Sequence, residues 1–246
     1  TIQPLAYARG LARAAGVAGA GLHGQSPVQA VTRAGDHWAV SCRGHLVRAR
    51  RLLVATNAYH LGFGPLFQPR FVPVHYCQYA TDPLPPALLE RILPGREGCW
   101  DTAMVMSSVR LDRAGRLIIG GIGNGDGPGA RVHAAWARRK LAALYPQLRG
   151  IALPYGWTGR IAMTSDHVPK ILALGPAAYA CFGYSGRGSG PGTLFGTLTA
   201  RALLAGSESP LPLAPVSRHD ETAPALLAAW YEAGSCLTHA TAARRA

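Results

Sequence analysis

The chain has 246 residues, 48% of them hydrophobic, enough to bury one large core or two small ones. Its 25 basic residues against 12 acidic ones give a net charge of +13, carried almost wholly by scattered arginines. No aromatic-interleaved basic patch accompanies that charge, which disfavours nucleic acid, and no apolar run is long enough to span a membrane.

In chain order, Pro4 to Val17 is expected to be a helix with proline in its first turn and Leu5, Ala8, Leu11, Ala12 and Ala15 on one side. A short strand is expected at Ala20–His23 and a β-like segment at Val28–Val31. Asp36–Ser41 and His45–Val47 should pair as a hairpin through Arg43 and Gly44. Arg51–Ala55 reads as a buried strand ending at Thr56, Asn57 and Ala58. Gly62–Pro69 is a linker, and Arg70–Thr81 alternates as a strand. Pro83–Leu93 gives a short helix or turns, Pro94–Gly98 a loop. Strands are expected at Thr102–Met106, Ser108–Leu111 and Leu117–Gly121, forming an antiparallel sheet. Gly120–Gly129 is too rich in glycine for regular structure.

The helix His133–Leu144 should bury Trp136 or Ala137, Leu141 and Leu144, with Leu148 beyond it. Tyr155–Met163 reads as a strand, Thr164–Pro169 as a polar loop, and Ile171–Leu174 with Tyr179–Tyr184 as a hairpin. A helix from Thr193 to Leu204 should bury Leu194, Leu198, Ala202 and Leu203, with Gly192 and Gly196 allowing close approach. Pro210–Pro215 then leaves the core, and Pro224–Ala246 holds one modest helix and a frayed basic tail. The five cysteines are dispersed, with no metal knuckle or redox pair, and fit a reducing compartment.

The segment that organises the chain is Phe182–Gly206, with glycine at 183, 186, 188, 190 and 192 just before a helix. Glycine at that density costs chain entropy. Two readings account for it: a tight strand-to-helix turn, or backbone pressed against a flat or anionic ligand at uncapped helix amides.

Five stretches, in this order and spacing, carry a resemblance: PLAYARGLARAAG, RRLLVATNAY, SSVRLDRAGRLIIGG, YGWTGRIAMTSDHVPKI and GYSGRGSGPGTLFGTLTARALL. They resemble FAD-dependent amine or amino-acid oxidoreductases of the D-amino-acid-oxidase-like superfamily, the gamma-glutamylputrescine oxidoreductase group being the nearest pattern. The resemblance implies an α/β (α+β) protein, an incomplete FAD-binding Rossmann-like domain combined with an antiparallel-sheet substrate domain. Residues 1–62 would belong to the nucleotide-binding core and 63–160 to the substrate domain. Residues 161–209 would return to the FAD-binding domain, and 210–246 would form a tail and helix.

It implies non-covalent FAD, since Tyr155–Pro169 contains no cysteine, and a small amine or amino-acid substrate in a cytoplasmic protein. Val28 would pack by the adenine, with Ala55, Thr56 and Asn57 near the ADP portion. Gly186, Arg187, Gly188, Ser189, Gly190, Gly192 and Thr193 would lie against the flavin. Arg160 would hold a substrate carboxylate or make a structural salt bridge. Tyr155 and Trp157 would wall the substrate side or pack at its rim. Asp166 and His167 offer an acid/base pair or a turn, with His167 near the cofactor, and Arg187 meets the flavin edge or solvent. The dinucleotide fingerprint is expected upstream of Thr1, in a longer precursor or another chain, and FAD binding and activity are expected to need it. A non-catalytic remnant or interaction module of the same fold is the alternative, with a basic nucleic-acid-binding protein the lesser one.

Overall fold

The structure, a computed structural model, describes residues 2–60, 62, 67 and 70–242. The chain runs α1 (Pro4–Val17), β1 (Val28–Ala34), β2 (His37–Cys42), β3 (His45–Ala49), β4 (Leu52–Val54), β5 (Val72–Pro83), α2 (Pro86–Leu89), β6 (Cys99–Trp100), β7 (Ser107–Leu111) and β8 (Arg116–Ile122). It continues through α3 (Ala130–Leu144), β9 (Tyr155–Met163), β10 (Lys170–Gly175), β11 (Ala178–Phe182), α4 (Ser189–Ala205) and α5 (Pro224–Thr241). Most of the expected Gly62–Pro69 linker and the expected basic tail at Arg244 and Arg245 lie outside the described residues.

The elements gather into two compact units. One takes Pro4–Pro73 and Ile161–Pro224. In it β1, β2 and β3 make an antiparallel sheet, and a second sheet has the order β10-β11-β4. Left-handed backbone at both Arg43 (φ 49°) and Gly44 (φ 80°) matches the twist of the β2–β3 hairpin. Strand β11 is antiparallel to β10 and parallel to β4, with Ala178 opposite Leu52 and Ala180 opposite Val54. Val31, Trp38, Val54, Leu172 and Phe182 share the core of this unit. Helix α1 buries none of its residues, and Leu5, Leu11 and Val17 are exposed.

The other unit takes Val74–Arg160 and the C-terminal segment from Ala225. Its sheet has the order β6-β7-β8-β5-β9. Its core joins Cys77, Leu117 and Ile119 of the sheet to Trp136, Ala137 and Leu141 of α3. His133 and His239 are fully buried there, and desolvation pushes the His239 imidazole down to about 3, so it is neutral.

Five expectations are corrected. Ala20–His23 is exposed and irregular, because no neighbouring strand among the described residues pairs with it. Thr102–Met106 is a bend rather than a strand, since the Asp101 carboxylate draws in the backbone N–H groups of Ala103 and Ser107 (3.3 and 3.0 Å). Cys99 and Trp100 pair with β7 in its place. Gly120 and Gly121 belong to regular strand β8; a Cβ there would come within 2.6 Å of Tyr76 and of Trp136, so these glycines seat rings. Helix α3 buries His133, Trp136, Ala137 and Leu141 but leaves Leu144 exposed. Helix α4 starts at Ser189, with Pro191 in the first turn where its missing N–H costs nothing, and buries Phe195, Thr199, Ala202 and Leu203. Leu194 is exposed, and no described residue lies within 4 Å of a Cβ at Gly196.

Asp101 also binds Lys140 of α3 at 2.9 Å. Burial works to raise its carboxyl, but hydrogen bonds from Ser107 and Lys140 prevail and hold it at about 2. A carboxyl held below its usual value stabilises the fold above about pH 4, and that contribution is lost as pH falls toward 2. Asp101→Asn should therefore lower stability by about 2 kcal/mol at most at pH 6 and by much less at pH 2.5. Urea denaturation of both proteins at the two pH values checks this; an equal loss at both would contradict it.

Candidate functional site

Strands β4 and β11 run parallel, and their C-terminal ends deliver Asn57 and Gly183 side by side. The Gly183 N–H donates to Asn57 Oδ1 at 3.1 Å. Both residues need left-handed backbone, Asn57 at φ 46° and Gly183 at φ 81°. Gly183 is buried, and a Cβ on it would stand 2.8 Å from Thr164 Cγ2. Ser185, at φ 49°, donates from Oγ to the Gly183 carbonyl and accepts from the Thr164 N–H, both at 3.2 Å. Its own N–H donates to the Ala162 carbonyl at 3.1 Å. Gly186 follows at φ 86°. The turn thus has its own reasons for glycine at 183 and 186.

Beyond it the reasons change. Gly186 to Gly190 are exposed, and α4 begins with Gly188 as N-cap and no side-chain capping bond. A Cβ on Gly188 or Gly190 would meet no described residue within 4 Å. Gly190 still has a local reason, because a residue with a Cβ is disfavoured in helical backbone before Pro191. Among the described residues, Gly188, at φ −71°, has neither a steric nor a conformational need of glycine. The contrast is with Gly123, where a Cβ would lie 2.4 Å from the His133 ring. The open helix start therefore fits a group that lies flat on backbone and accepts from amides. The Thr193 hydroxyl is already engaged, donating to the Ser189 carbonyl and hydrogen-bonded to Tyr7 Oη, both at 2.8 Å. Arg187 is exposed.

Beside the β4 end lies a cleft of about 310 Å³ lined by Val28, Val31, Leu52, Ala55, Thr56 and His60 among others. It brings Val28, Ala55 and Thr56 together, and the Asn57–Gly183 bond ties its rim to the glycine segment. His60 Nε2 faces the Phe67 carbonyl at 2.9 Å, so it carries the proton. Nδ1 then accepts from the Thr56 hydroxyl at 3.2 Å. Desolvation lowers the His60 imidazole, in keeping with a neutral ring.

His167 is exposed at φ 56°, its N–H donating to the Thr164 carbonyl at 3.0 Å. Asp166 accepts from the Val168 N–H at 3.0 Å and pairs with Lys170. The Lys170 hydrogen bond holds its carboxyl down at about 2, so it is an ionised turn acceptor rather than a proton carrier at neutral pH. Glu221, absent from the sequence reading, clamps this loop: it accepts from the Ser165 N–H and from His219 Nε2, both at 3.0 Å, and from the Ser165 hydroxyl. No sequence pattern marks that pairing, which joins residues 56 apart. Arg160 is exposed on β9, in the other unit, as are Tyr155 and Trp157, and Arg116 stacks on the Tyr155 ring at 5.4 Å.

Residues 1–202 match the sequence family described as FAD dependent oxidoreductase (DAO). The chain belongs to this family. Relatives include gamma-glutamylputrescine oxidoreductase of Escherichia coli, 30% identical over 212 residues, which cover 84% of this chain and 49% of the relative. The probable oxidoreductase OrdL of Haemophilus influenzae is 28% identical over 215 residues, 84% of this chain and 48% of the relative. The chain thus spans about half the length of the curated relatives it matches. Among solved structures, glycine oxidase from Geobacillus kaustophilus superposes with a TM-score of 0.65 at 20% identity, covering 87% of this chain and 57% of that one. Iminodiacetate oxidase from Chelativorans sp. BNC1 gives 0.62 at 15% identity, with the same coverage of each chain. These likenesses show the fold of the family: mixed α/β with antiparallel sheets. Among the described residues no helix is long and apolar enough to cross a membrane.

Proposed function

We propose that this chain forms the flavin-ring side of a non-covalent FAD site in an enzyme that oxidises the C–N bond of an amine or amino acid, in the manner of gamma-glutamylputrescine oxidoreductase. The observation that carries the reading is the uncapped, exposed start of α4 at the ends of two parallel strands, with a glycine at 188 that no contact among the described residues requires. A crevice at strand C-termini is where open α/β sheets hold nucleotide ligands. FAD, when bound, supplies the hydride-accepting ring that amine oxidation needs.

The chain's own residues do the rest. The Ser189 and Gly190 N–H groups and the positive end of α4 support negative charge placed before them. The Asn57–Gly183 and Ser185–Thr164 bonds hold that start in position. Val28, Ala55 and Thr56 offer the neighbouring cleft to the adenosine portion. Arg160 supplies a guanidinium whose fork suits a substrate carboxylate. His167 stands on the loop clamped by Glu221 and is assigned to the cofactor side.

In the natural protein, Gly188→Val should lower FAD affinity at least ~10-fold while changing stability by no more than about 1 kcal/mol. Flavin retained after gel filtration and urea denaturation give the two values. Anaerobic addition of amines and amino acids should bleach the bound flavin. Unchanged flavin retention in Gly188→Val would remove the site, and flavin that no amine or amino acid bleaches would remove the activity.

A further inference from the structure

We propose that His133, Glu232 and Cys236 form a binding site for one zinc-class divalent cation, which fastens α5 to α3. The three residues come from helices about 100 positions apart and present one donor atom each. His133 Nε2 lies 3.0 Å from Glu232 Oε1, Cys236 Sγ lies 3.5 Å from that nitrogen, and Sγ lies 3.7 Å from that oxygen. Zinc bonds of about 2.0 Å to nitrogen and oxygen and 2.3 Å to sulfur, set tetrahedrally, require edges of roughly 3.3, 3.5 and 3.5 Å between the same atoms. The observed triangle is that face of a tetrahedron to within about 0.3 Å.

The same three atoms close on Gly129, whose missing side chain lets them come together. A Cβ built on Gly129 would stand 2.3 Å from Cys236 Sγ, 3.0 Å from His133 Nε2 and 3.1 Å from Glu232 Oε1. Any other residue at 129 would push these donors apart. The donors are also oriented from behind, as metal ligands are. The Asn124 N–H donates to Glu232 Oε2 at 2.9 Å. His133 Nδ1 is 2.7 Å from His239 Nδ1, and the His239 ring is stacked on Trp136 at 3.7 Å. With Nδ1–H donating to His239, the Nε2 lone pair of His133 is free to face the ion, and Cys236 binds as thiolate, its proton passing to solvent. One imidazole, one carboxylate and one thiolate suit zinc or cobalt better than magnesium or calcium. Three protein ligands leave the fourth position to water.

The test uses the natural protein stripped of metal by chelator and titrated with Co²⁺, then with Zn²⁺. One equivalent of Co²⁺ should give the intense visible bands of a tetrahedral site and a thiolate charge-transfer band, and one equivalent of Zn²⁺ should abolish both. Cys236→Ser should remove the charge-transfer band, whereas Cys99→Ser, at an exposed position, should leave it intact. His239→Gln should weaken zinc binding about 10- to 100-fold. The absence of tetrahedral bands in the unmutated protein, or bands that survive in Cys236→Ser, would overturn the proposal and leave a hydrogen-bonded His133–Glu232 pair beside a thiol.

Discussion

Gly183→Val is expected to destabilise the unit containing α4 by about 3 kcal/mol and to abolish flavin retention. Two costs add at this position. Backbone at φ 81° is strained for a β-branched residue, and the new Cβ would stand 2.8 Å from Thr164 Cγ2. Relief would require moving either the 164–169 loop or the Gly183 amide, and the second movement breaks its bond to Asn57 Oδ1. Urea denaturation should show a lower midpoint with an unchanged slope. Gly188→Val lacks both costs, so the pair separates a glycine needed by the turn from a glycine left open for a ligand. Equal stability losses at 183 and 188 would show that distinction to be wrong.

Trp38→Ala should cost more still, about 3–5 kcal/mol, through the lost burial and the cavity left behind. The indole is 1% exposed and packs in the core that also holds Val54 and Phe182. Those two residues precede the segments that end in Asn57 and Gly183, so loosening their core slackens the candidate site as well. Trp38 Nε1–H also donates to the Pro176 carbonyl at 3.0 Å. Trp38→Phe keeps most of the volume and loses that bond, for an expected cost of about 1–2 kcal/mol. Thermal or urea unfolding of the two variants gives the ranking. A Trp38→Ala protein as stable as Trp38→Phe would mean that the cavity collapses without penalty.

Local signals were strong where one element answers only to its own residues. Pro4–Val17 has the expected bounds as a helix and Tyr155–Met163 as a strand, because proline placement and residue pattern suffice there. The glycine-dense segment was legible as the join between β11 and α4, although the helix starts at Ser189 rather than Thr193 and takes in Gly190 and Gly192. The pattern failed where a side chain overrides propensity. Asp101 folds an apolar run into a bend by capturing two amides. In α4, leucines and small residues lie on more than one face, so periodicity alone did not single out the stripe that packs: Phe195 against Tyr184, in a core with Ile171 and Cys181.

The residues by themselves determined the mixed α/β class, the family and the segment that starts α4, because composition, order and spacing along the chain carry those. Only the tertiary structure decided that β4 lies parallel to β11 and that Asn57 meets Gly183. It alone showed that Glu221 clamps the 164–169 loop and that His133 gathers with Glu232 and Cys236. Each of these joins groups between 56 and 126 positions apart, as hydrogen bonds show at Glu221, His133 and Asn57. A hydrogen bond acts over about 3 Å of space and is indifferent to distance along the chain. Partners so far apart leave no period or motif to read, and only the folded chain brings them within range.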